Sequence, residues 1–429
     1  MNENAHQKVA ILGAGPAGLR MAAGCQRAGI PYTVYERHSE VGGLWDINRP
    51  DSPMYEAAHF ISSKRQSAFH AFPMPAHFPD YPSHRHVFDW LKAYAEQSGV
   101  RPAIRFDTEI SRVIRTSDGW HIETSRGERV EHAAVVLAHG SNWVPRWPDY
   151  PGVFNGEQWH SSQFKRAAQL SGKRVLIVGA GNSGCDIACE AARSAEAALL
   201  SMRRGYHFLP KHLFGIPSDE FSARTGDAPI WLKRPFFALL KSMVTGDVQR
   251  LGLPRPTHRL FESHPIMNTQ VLHYLQHGDL AVRGDIATLD GDGVQFKSGQ
   301  REPINLIIYA TGYEKPLHFV DCGTALTPAD FRWQVFAKSQ PSLYSMSLFE
   351  TNSGAYPLFD VMADAIVADI VSQRAGDGAS QRFHRKLADS EHAVRGGLNL
   401  IDSERHLVYV DSQSFRRRLR ALTRLHFQT

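Results

Sequence analysis

Cysteine is scarce. Only Cys25, Cys185, Cys189 and Cys322 occur in 429 residues, too few for a disulfide framework, so a reducing compartment, the cytoplasm, is expected. Metal-binding patterns are also missing. The 22 His include a group at His70, His77, His84 and His86, yet neither H-E-x-x-H nor a Cys/His set with zinc spacing occurs, and no metal centre is expected. The absence of C-x-x-C excludes a dithiol redox pair, and that of G-x-S-x-G excludes a nucleophile elbow. Cys185 and Cys189 lie one helical turn apart with no second pair and read as packing residues. No apolar run approaches the ~18 residues of a membrane span. The opening MNENAHQ is polar, so no secretory signal is expected. Neither sign of charge dominates: Lys+Arg 48 against Asp+Glu 43 leaves +5. That balance gives no reason to expect nucleic acid and suits anionic small molecules at least as well.

What is present is ordinary globular composition, 42% hydrophobic and 21% charged, long enough for two or three domains at roughly 100–200 residues each. The stretch KVAILGAGPAGLRMAAGCQRAGIPYTVYER, residues 8–37, reads as strand, turn, helix, strand. Val9, Ala10, Ile11 and Leu12 form the short apolar run of a strand buried on both faces. Gly13, Gly15 and Gly18 follow as G-x-G-x-x-G, with Pro16 and Ala17 opening the helix. The first glycine permits the tight turn, the second lets backbone approach a pyrophosphate, and the third lets helix pack on strand. The helix N-terminus offers N–H groups and a positive dipole end to phosphate. The second strand ends in Glu36, then Arg37; a carboxylate there accepts hydrogen bonds from ribose hydroxyls. Gly42, Gly43, Leu44 and Trp45 form a second glycine turn that can come close to the same ligand.

The unit recurs at residues 173–204. Gly179, Gly181 and Gly184, with Asn182 and Ser183 between them, follow the strand Val175 to Val178. At the offset that places Glu36 in the first copy stands Met202, followed by Arg203 and Arg204. A carboxylate would repel a 2′-phosphate, whereas guanidinium groups pair with it. The first unit therefore suits FAD or NAD and the second NADPH.

Between and beyond these units the chain alternates short elements. Residues 46–86, rich in Pro and His, read as a segment wrapping over a ligand or domain face. A helix is expected at about 85–98 and strands within 103–124, including Ile110. A buried strand from Ala133 to Ala138 breaks at His139-Gly140-Ser141, as a chain passing under a cofactor does. Residues 143–152 read as a linker. Within an insertion at about 205–275, PIWLKRPFFALLKSMV (229–244) reads as a core or domain-contact helix, with a substrate lid or membrane-surface contact as the lesser reading. The buried strand at Asn305 to Thr311 ends in Gly312. The tail 415–427 reads as a surface helix.

At 154–165 stands FNGEQWHSSQFK. With Phe154, Gly156, His160, Phe164 and Lys165 it resembles the F-x-G-x-x-x-H-x-x-x-(F/Y)-K fingerprint of the flavin-containing monooxygenases. GGLW (42–45), FPMPAHFPDYP (72–82) and the A-T-G turn Ala310, Thr311, Gly312 add to the resemblance. RRGYHFLPKHLFG (203–215) and LGLPRP (251–256) resemble the plant YUCCA branch. The related Baeyer–Villiger enzymes end the fingerprint in Trp-Pro, from which Phe164-Lys165 departs.

The resemblance implies an α/β fold with two dinucleotide-binding, Rossmann-like domains, the NADPH domain inserted into the FAD domain. The FAD domain would comprise residues 1–150 and 315–429, and the NADPH domain 151–314. FAD would contact Gly13, Gly15, Pro16, Ala17, Gly18, Glu36, Arg37, Gly43, Leu44, Trp45, Ile110, Ala138 and Gly140. NADPH would contact Gly179, Gly181, Asn182, Ser183, Gly184, Arg203, Arg204, Ala310, Thr311 and Gly312. His160 and the flavin-proximal Ile61, Ser62 and Ser63 are the catalytic candidates. Family chemistry is reduction of FAD by NADPH, then O₂ addition to a C4a-(hydro)peroxyflavin that transfers one oxygen atom to a sulfur or amine nitrogen. The partners implied are O₂ and a small-molecule substrate, with a homodimer left open. Many relatives carry Asn where Ile61 stands. An apolar side chain cannot hydrogen-bond there, which raises uncoupled NADPH oxidation as an alternative. YUCCA-like oxidative decarboxylation of an aryl 2-oxo acid, Baeyer–Villiger oxidation and a non-catalytic NADPH-sensing flavoprotein are the others.

Overall fold

The computed structural model describes residues 7–224, 230–397, 400–401 and 404–427. Two parallel sheets organise them. In the first, strands run in the order 104–105, 32–35, 9–12, 134–137 and 343–345, all parallel, and an antiparallel pair at 336–337 and 331–332 extends that edge. Residues Val9 to Leu12 are opposed by Tyr32 to Tyr35 on one side and Ala134 to Leu137 on the other. The second sheet is ordered 157–160, 306–309, 174–178, 197–201 and 281–283, again parallel throughout. Each sheet is covered on both faces, which is why its strands carry unbroken apolar runs such as VAIL, AVVL and LIIY.

The covering layers match. On one face of the first sheet, Ala10, Leu12 and Val135 pack against Val113, Trp120 and Ile122 of a small sheet containing Ile110–Arg115, Trp120–Thr124 and Arg129–His132. On the other face lie the helices Pro16–Arg27, His84–Gln97, Tyr356–Ala375 and Ser412–Phe427. The second sheet has a small sheet on one face, where Leu176 and Ile307 meet Ile286, Val294 and Phe296. The helices Asn182–Ser194 and Gln270–His277 cover the other face. Val144–Pro145 and Tyr313–Glu314 pair antiparallel where the chain passes between the two units. The stretch expected as a linker thus contains a strand, and Gly152–Phe154 beyond it joins the second small sheet.

Residues 46–86 are mostly irregular and are held by aromatic packing. Phe69 stacks on Trp90 at 5.1 Å and on Tyr356 at 5.4 Å, and Trp45 meets Phe60 edge-on at 4.6 Å. The expected tail helix spans Ser412–Phe427 and buries Phe415 and Leu419. Cys185 and Cys189 are buried packing residues of their helix.

The apolar helix of the insertion, Ile230–Thr245, departs from expectation. It is not a core helix. Trp231, Leu239 and Met243 are 69%, 61% and 75% exposed, and Phe237 is its buried side chain among the described residues. Its inward side is a mixture: Phe237 packs with Leu209, Leu213 and Leu260, while Arg234 donates to the Leu260 carbonyl at 3.1 Å and pairs with Glu262 at 3.5 Å, and Trp231, Leu239 and Met243 face outward.

Candidate functional site

The two glycine turns have the same construction. Gly13 has φ 107° and Gly179 φ 103°, a left-handed conformation that glycine alone adopts freely. A Cβ on Gly13 would lie 2.6 Å from the Ala138 carbonyl oxygen, and one on Gly179 2.6 Å from that of Ala310. The third glycines press helix on turn: a Cβ on Gly18 would stand 1.8 Å from the Gly13 oxygen, and one on Gly184 1.9 Å from the Gly179 oxygen. The second glycines differ. A Cβ on Gly15 would meet only Gly43, at 3.6 Å, and one on Gly181 would meet nothing within 4 Å. Space is therefore left over the helix N-termini at Pro16 and Asn182, where anionic phosphate is favoured.

Both turns open into one cavity of about 2410 Å³. Gly13, Gly15, Pro16, Ala17, Glu36, Arg37, Gly43, Leu44, Trp45, Ile110, Ala138 and Gly140 line it on the first unit's side. Gly179, Gly181, Asn182, Ser183, Gly184, Arg203, Arg204, Ala310, Thr311 and Gly312 line it on the second. Gly18 acts from behind, through packing. The Gly42–Gly43 turn reaches back to the first, with the Gly42 N–H donating to the Ala14 carbonyl at 3.0 Å. The buried Glu36 carboxylate accepts from the Ala14 N–H at 2.8 Å and the His38 N–H at 3.0 Å, which fixes it at the strand end. On the second unit Arg203 is exposed, and Arg204 lies over the Tyr206 ring at 5.2 Å and donates to its hydroxyl at 3.1 Å.

The fingerprint residues work as a clamp. His160 is fully buried and does not line the cavity. Its Nε2–H donates to the Gly312 carbonyl at 3.0 Å, while Nδ1 accepts from the Ser162 N–H at 3.3 Å. Burial lowers its pKa and keeps the ring neutral. With both nitrogens engaged, it holds the A-T-G turn against its own strand. Lys165 donates to the carbonyls of Ser52 and Met54, and Phe164 packs on Tyr55 at 5.6 Å. This ties segment 52–56 of the first unit to the second.

The triplet at 61–63 divides. Ile61 is 37% exposed and lines the cavity together with Ser62. The Ser62 hydroxyl is shared with that of Ser67 at 2.6 Å. Ser63 is buried outside the lining, and its N–H donates to Asp219 of the insertion at 2.6 Å.

This pairing of glycine turns around one cavity agrees with comparison to known proteins. The profile of the flavin-binding monooxygenase-like family matches residues 6–327. The chain belongs to that family. Among characterised relatives, an indole-3-pyruvate monooxygenase, YUCCA1 of Oryza sativa subsp. japonica, is 30% identical over 328 residues, covering 74% of this chain and 80% of its own. Flavin-containing monooxygenase 5 of Rattus norvegicus is 26% identical over 440 residues, covering 95% and 79%. The fold is also that of a flavin-containing monooxygenase from Stenotrophomonas maltophilia, with TM-score 0.62, 20% identity and 85% and 98% of the two chains covered. A steroid monooxygenase structure bound to NADP superposes with TM-score 0.74 at 16% identity, over 98% of each chain.

As a flavin-dependent monooxygenase, the protein is an oxidoreductase, and FAD and NADPH are the cofactors its membership implies. The residues present fit them. Each turn leaves a cradle that a Cβ at its middle glycine would enter. An acid closes the first nucleotide edge and two guanidinium groups the second. Among the described residues no cluster of His, Cys, Asp and Glu could hold a metal, and no helix is long and apolar enough to cross a membrane.

Three polar groups of this monooxygenase escaped sequence reasoning because each is assembled from distant segments. Asp51 pairs with Arg37 and, at 3.3 Å, with Arg49 on the first unit's rim; all three line the cavity. Asp219 reaches from the insertion to the Ile61–Ser63 segment. Asp186 accepts from the Tyr55 hydroxyl at 2.9 Å and from Asn268 Nδ2 at 2.6 Å. The one local signal was an acid within the second glycine-turn helix, in NSGCD.

Proposed function

We propose that the protein is an FAD- and NADPH-dependent monooxygenase that transfers one oxygen atom from O₂ to the sulfur or nitrogen of a small organic molecule. The observation that carries this reading is the single cavity joining the two glycine turns. Bound FAD supplies the redox chemistry, accepting a hydride from NADPH and activating O₂. The chain binds and orients. Gly13, Gly15 and Gly43 admit the pyrophosphate of FAD to the Pro16 helix end, and Glu36 receives its ribose hydroxyls. Gly179, Gly181 and the Asn182 helix end receive the NADPH pyrophosphate, with Arg203 and Arg204 at the 2′-phosphate. Neutral His160 acts as a positioning residue, holding the Gly312 turn in the cavity wall.

The stretch of lining at 53–62 and 264–267 is largely apolar, with Pro53, Met54, Phe60, Ile61, Pro265 and Met267 beside the polar His59, Ser62 and His264. A neutral sulfide or an uncharged amine suits that apolar wall better than an anion. The second reading, oxidative decarboxylation of an aryl 2-oxo acid, is favoured by the 30% identity to an indole-3-pyruvate monooxygenase. NADPH oxidation with sulfides, amines, ketones and 2-oxo acids, products identified by mass, separates the two. A gain of one oxygen atom on sulfide or amine supports the first reading. Loss of CO₂ from a 2-oxo acid, without oxygenation of sulfide or amine, would overturn it.

A further inference from the structure

The Asp186 side chain joins three stretches of chain that come from different parts of the fold. Its Oδ2 accepts from the hydroxyl of Tyr55, on the irregular segment that continues to Ile61 and Ser62. Its Oδ1 accepts from Asn268 Nδ2, at the point where the chain returns from the insertion. Asp186 itself lies on the helix Asn182–Ser194, whose N-terminus faces the second glycine turn. Asn268 is committed on its other side as well, where Oδ1 accepts from the Val271 N–H at 3.1 Å, in the first turn of the helix Gln270–His277. Asn182 adds a parallel tie, its Oδ1 accepting from the Met267 N–H at 3.2 Å. Tyr55 is held in turn by the Phe164 ring, and its neighbour Glu56 donates its N–H to the Lys165 carbonyl at 2.8 Å.

A carboxylate early in a helix whose end receives phosphate works against an anionic ligand. Phosphate binding therefore does not explain it. Burial raises its pKa, so its setting disfavours charge as well. What Asp186 provides is two acceptor oxygens, and each is filled by a donor from a different segment.

We propose that Asp186 is a positioning residue that latches the Tyr55–Ser62 segment of the flavin unit, and the returning end of the insertion, onto the nicotinamide unit. It thereby sets the approach of the two cofactors for hydride transfer. The proposal rests on the assignment of FAD to the first glycine turn and NADPH to the second. It adds a residue that holds the two in relation through its bonds to Tyr55 and Asn268.

The donor and acceptor inventory provides a sharp test. Asp186→Asn retains an oxygen for Tyr55 but turns an NH₂ toward the NH₂ of Asn268. Asn268→Asp sets two carboxylates against each other. Combined, Asn at 186 donates to Asp at 268, whose second oxygen still accepts from Val271, and every bond of the parent is restored with one direction reversed. Tyr55→Phe removes the other arm by deleting a single hydroxyl, and serves if the charge-changing variants fold poorly.

The first readout is anaerobic flavin reduction by NADPH, followed by stopped flow over a range of NADPH concentrations. Each single variant should lower the limiting reduction rate at least tenfold, with flavin content unchanged and NADPH affinity within threefold. The double exchange should recover the rate to within threefold of the parent. The second readout is hydrogen–deuterium exchange of residues 52–62 in flavin-free protein. It should rise several-fold in each single variant and return to the parent level in the double exchange. Limiting rates within twofold of the parent in all single variants would overturn the proposal, as would a double variant no better than its worse parent in both readouts. If NADPH fails to reduce the flavin of the unmodified protein, the cofactor assignment fails instead. Unchanged exchange in the flavin-free single variants then still refutes the latch.

Discussion

Gly15→Ala and Gly18→Ala change the same atom in the same motif, and the structure demands opposite outcomes. At position 18 the new Cβ would stand 1.8 Å from the Gly13 carbonyl oxygen and 3.5 Å from the Ala138 Cβ. The first distance is roughly half a normal non-bonded contact of ~3.5 Å. The atom in the way is backbone, inside a turn already held by the Gly13 N–H donating to the Tyr35 carbonyl at 2.7 Å, so the helix Pro16–Arg27 must move off the sheet. Overpacking of this kind costs about 1–3 kcal/mol, and rigid backbone puts it at about 3 kcal/mol. At position 15 the backbone is ordinary, φ −74°, and the nearest contact is a normal 3.6 Å to Gly43. The penalty there is only that of Ala for Gly at a helix cap, below about 1 kcal/mol. The new methyl, however, projects into the space left for the pyrophosphate. FAD affinity should fall at least tenfold, about 1.4 kcal/mol. Urea unfolding of flavin-free protein and FAD titration by flavin fluorescence measure the two effects separately. Flavin bound within twofold of the parent affinity by Gly15→Ala, or a Gly18→Ala midpoint equal to the parent's, would refute the reasoning.

In the second turn, Gly181→Ala should leave unfolding and flavin content unchanged while raising KM for NADPH, as checked by steady-state kinetics. The Arg203→Ala, Arg204→Ala double variant should lose about 1.5–3 kcal/mol of NADPH binding with little change for NADH; equal use of both cofactors by the parent would contradict that. Without substrate, the parent should release appreciable hydrogen peroxide per NADPH consumed, and Ile61→Asn should lower it. The site is 37% exposed, so the amide is not stranded. Negligible peroxide from the parent in a peroxidase-coupled assay would show that Ile61 is no handicap. Buried His132, beside the Tyr35 hydroxyl at 3.3 Å, is held neutral by burial with its pKa lowered to about 4. The unfolded chain protonates first as pH falls. The contribution is therefore complete above about 6.5 and lost progressively down to about 4, reaching about 3 kcal/mol. Melting curves between pH 7 and 4.5 should be shallower in pH dependence for His132→Gln than for the parent.

The parts of this molecule legible in its sequence are those written in contiguous residues. Val9 to Glu36 and Val175 to Arg204 each contain strand, turn, helix, strand and nucleotide edge in order, so the parallel α/β architecture could be read directly. The helix 230–245 could be located but not oriented. Its apolar residues are evident, whereas the partners that meet its inward side, Leu209 and Leu213 around Phe237 and Glu262 at Arg234, lie elsewhere in the chain. His160 is visible as a motif, but its bond to the Gly312 carbonyl spans nearly the whole second unit and shows only in the fold. In the triplet at 61–63, the backbone is tied by the Ser63 N–H to Asp219 of the insertion, which no local pattern announces. The Tyr55, Asp186 and Asn268 cluster is illegible for the same reason.

The connectivity of the two sheets carries a consequence for the order of folding. Every strand of the second parallel sheet lies between residues 157 and 309, an uninterrupted length of chain. The first sheet needs Leu343–Ser345 beside Ala134–Leu137, so its edge stays open until residue 345 has left the ribosome, well after the second sheet's last strand. Closing that gap bears the entropy of a long loop, which the already folded second unit shortens by occupying it. The inserted unit should therefore acquire exchange-protected amides first in pulse-labelled refolding, with Val9–Leu12 and Ala134–Leu137 protected only when the strand at 343–345 is in place.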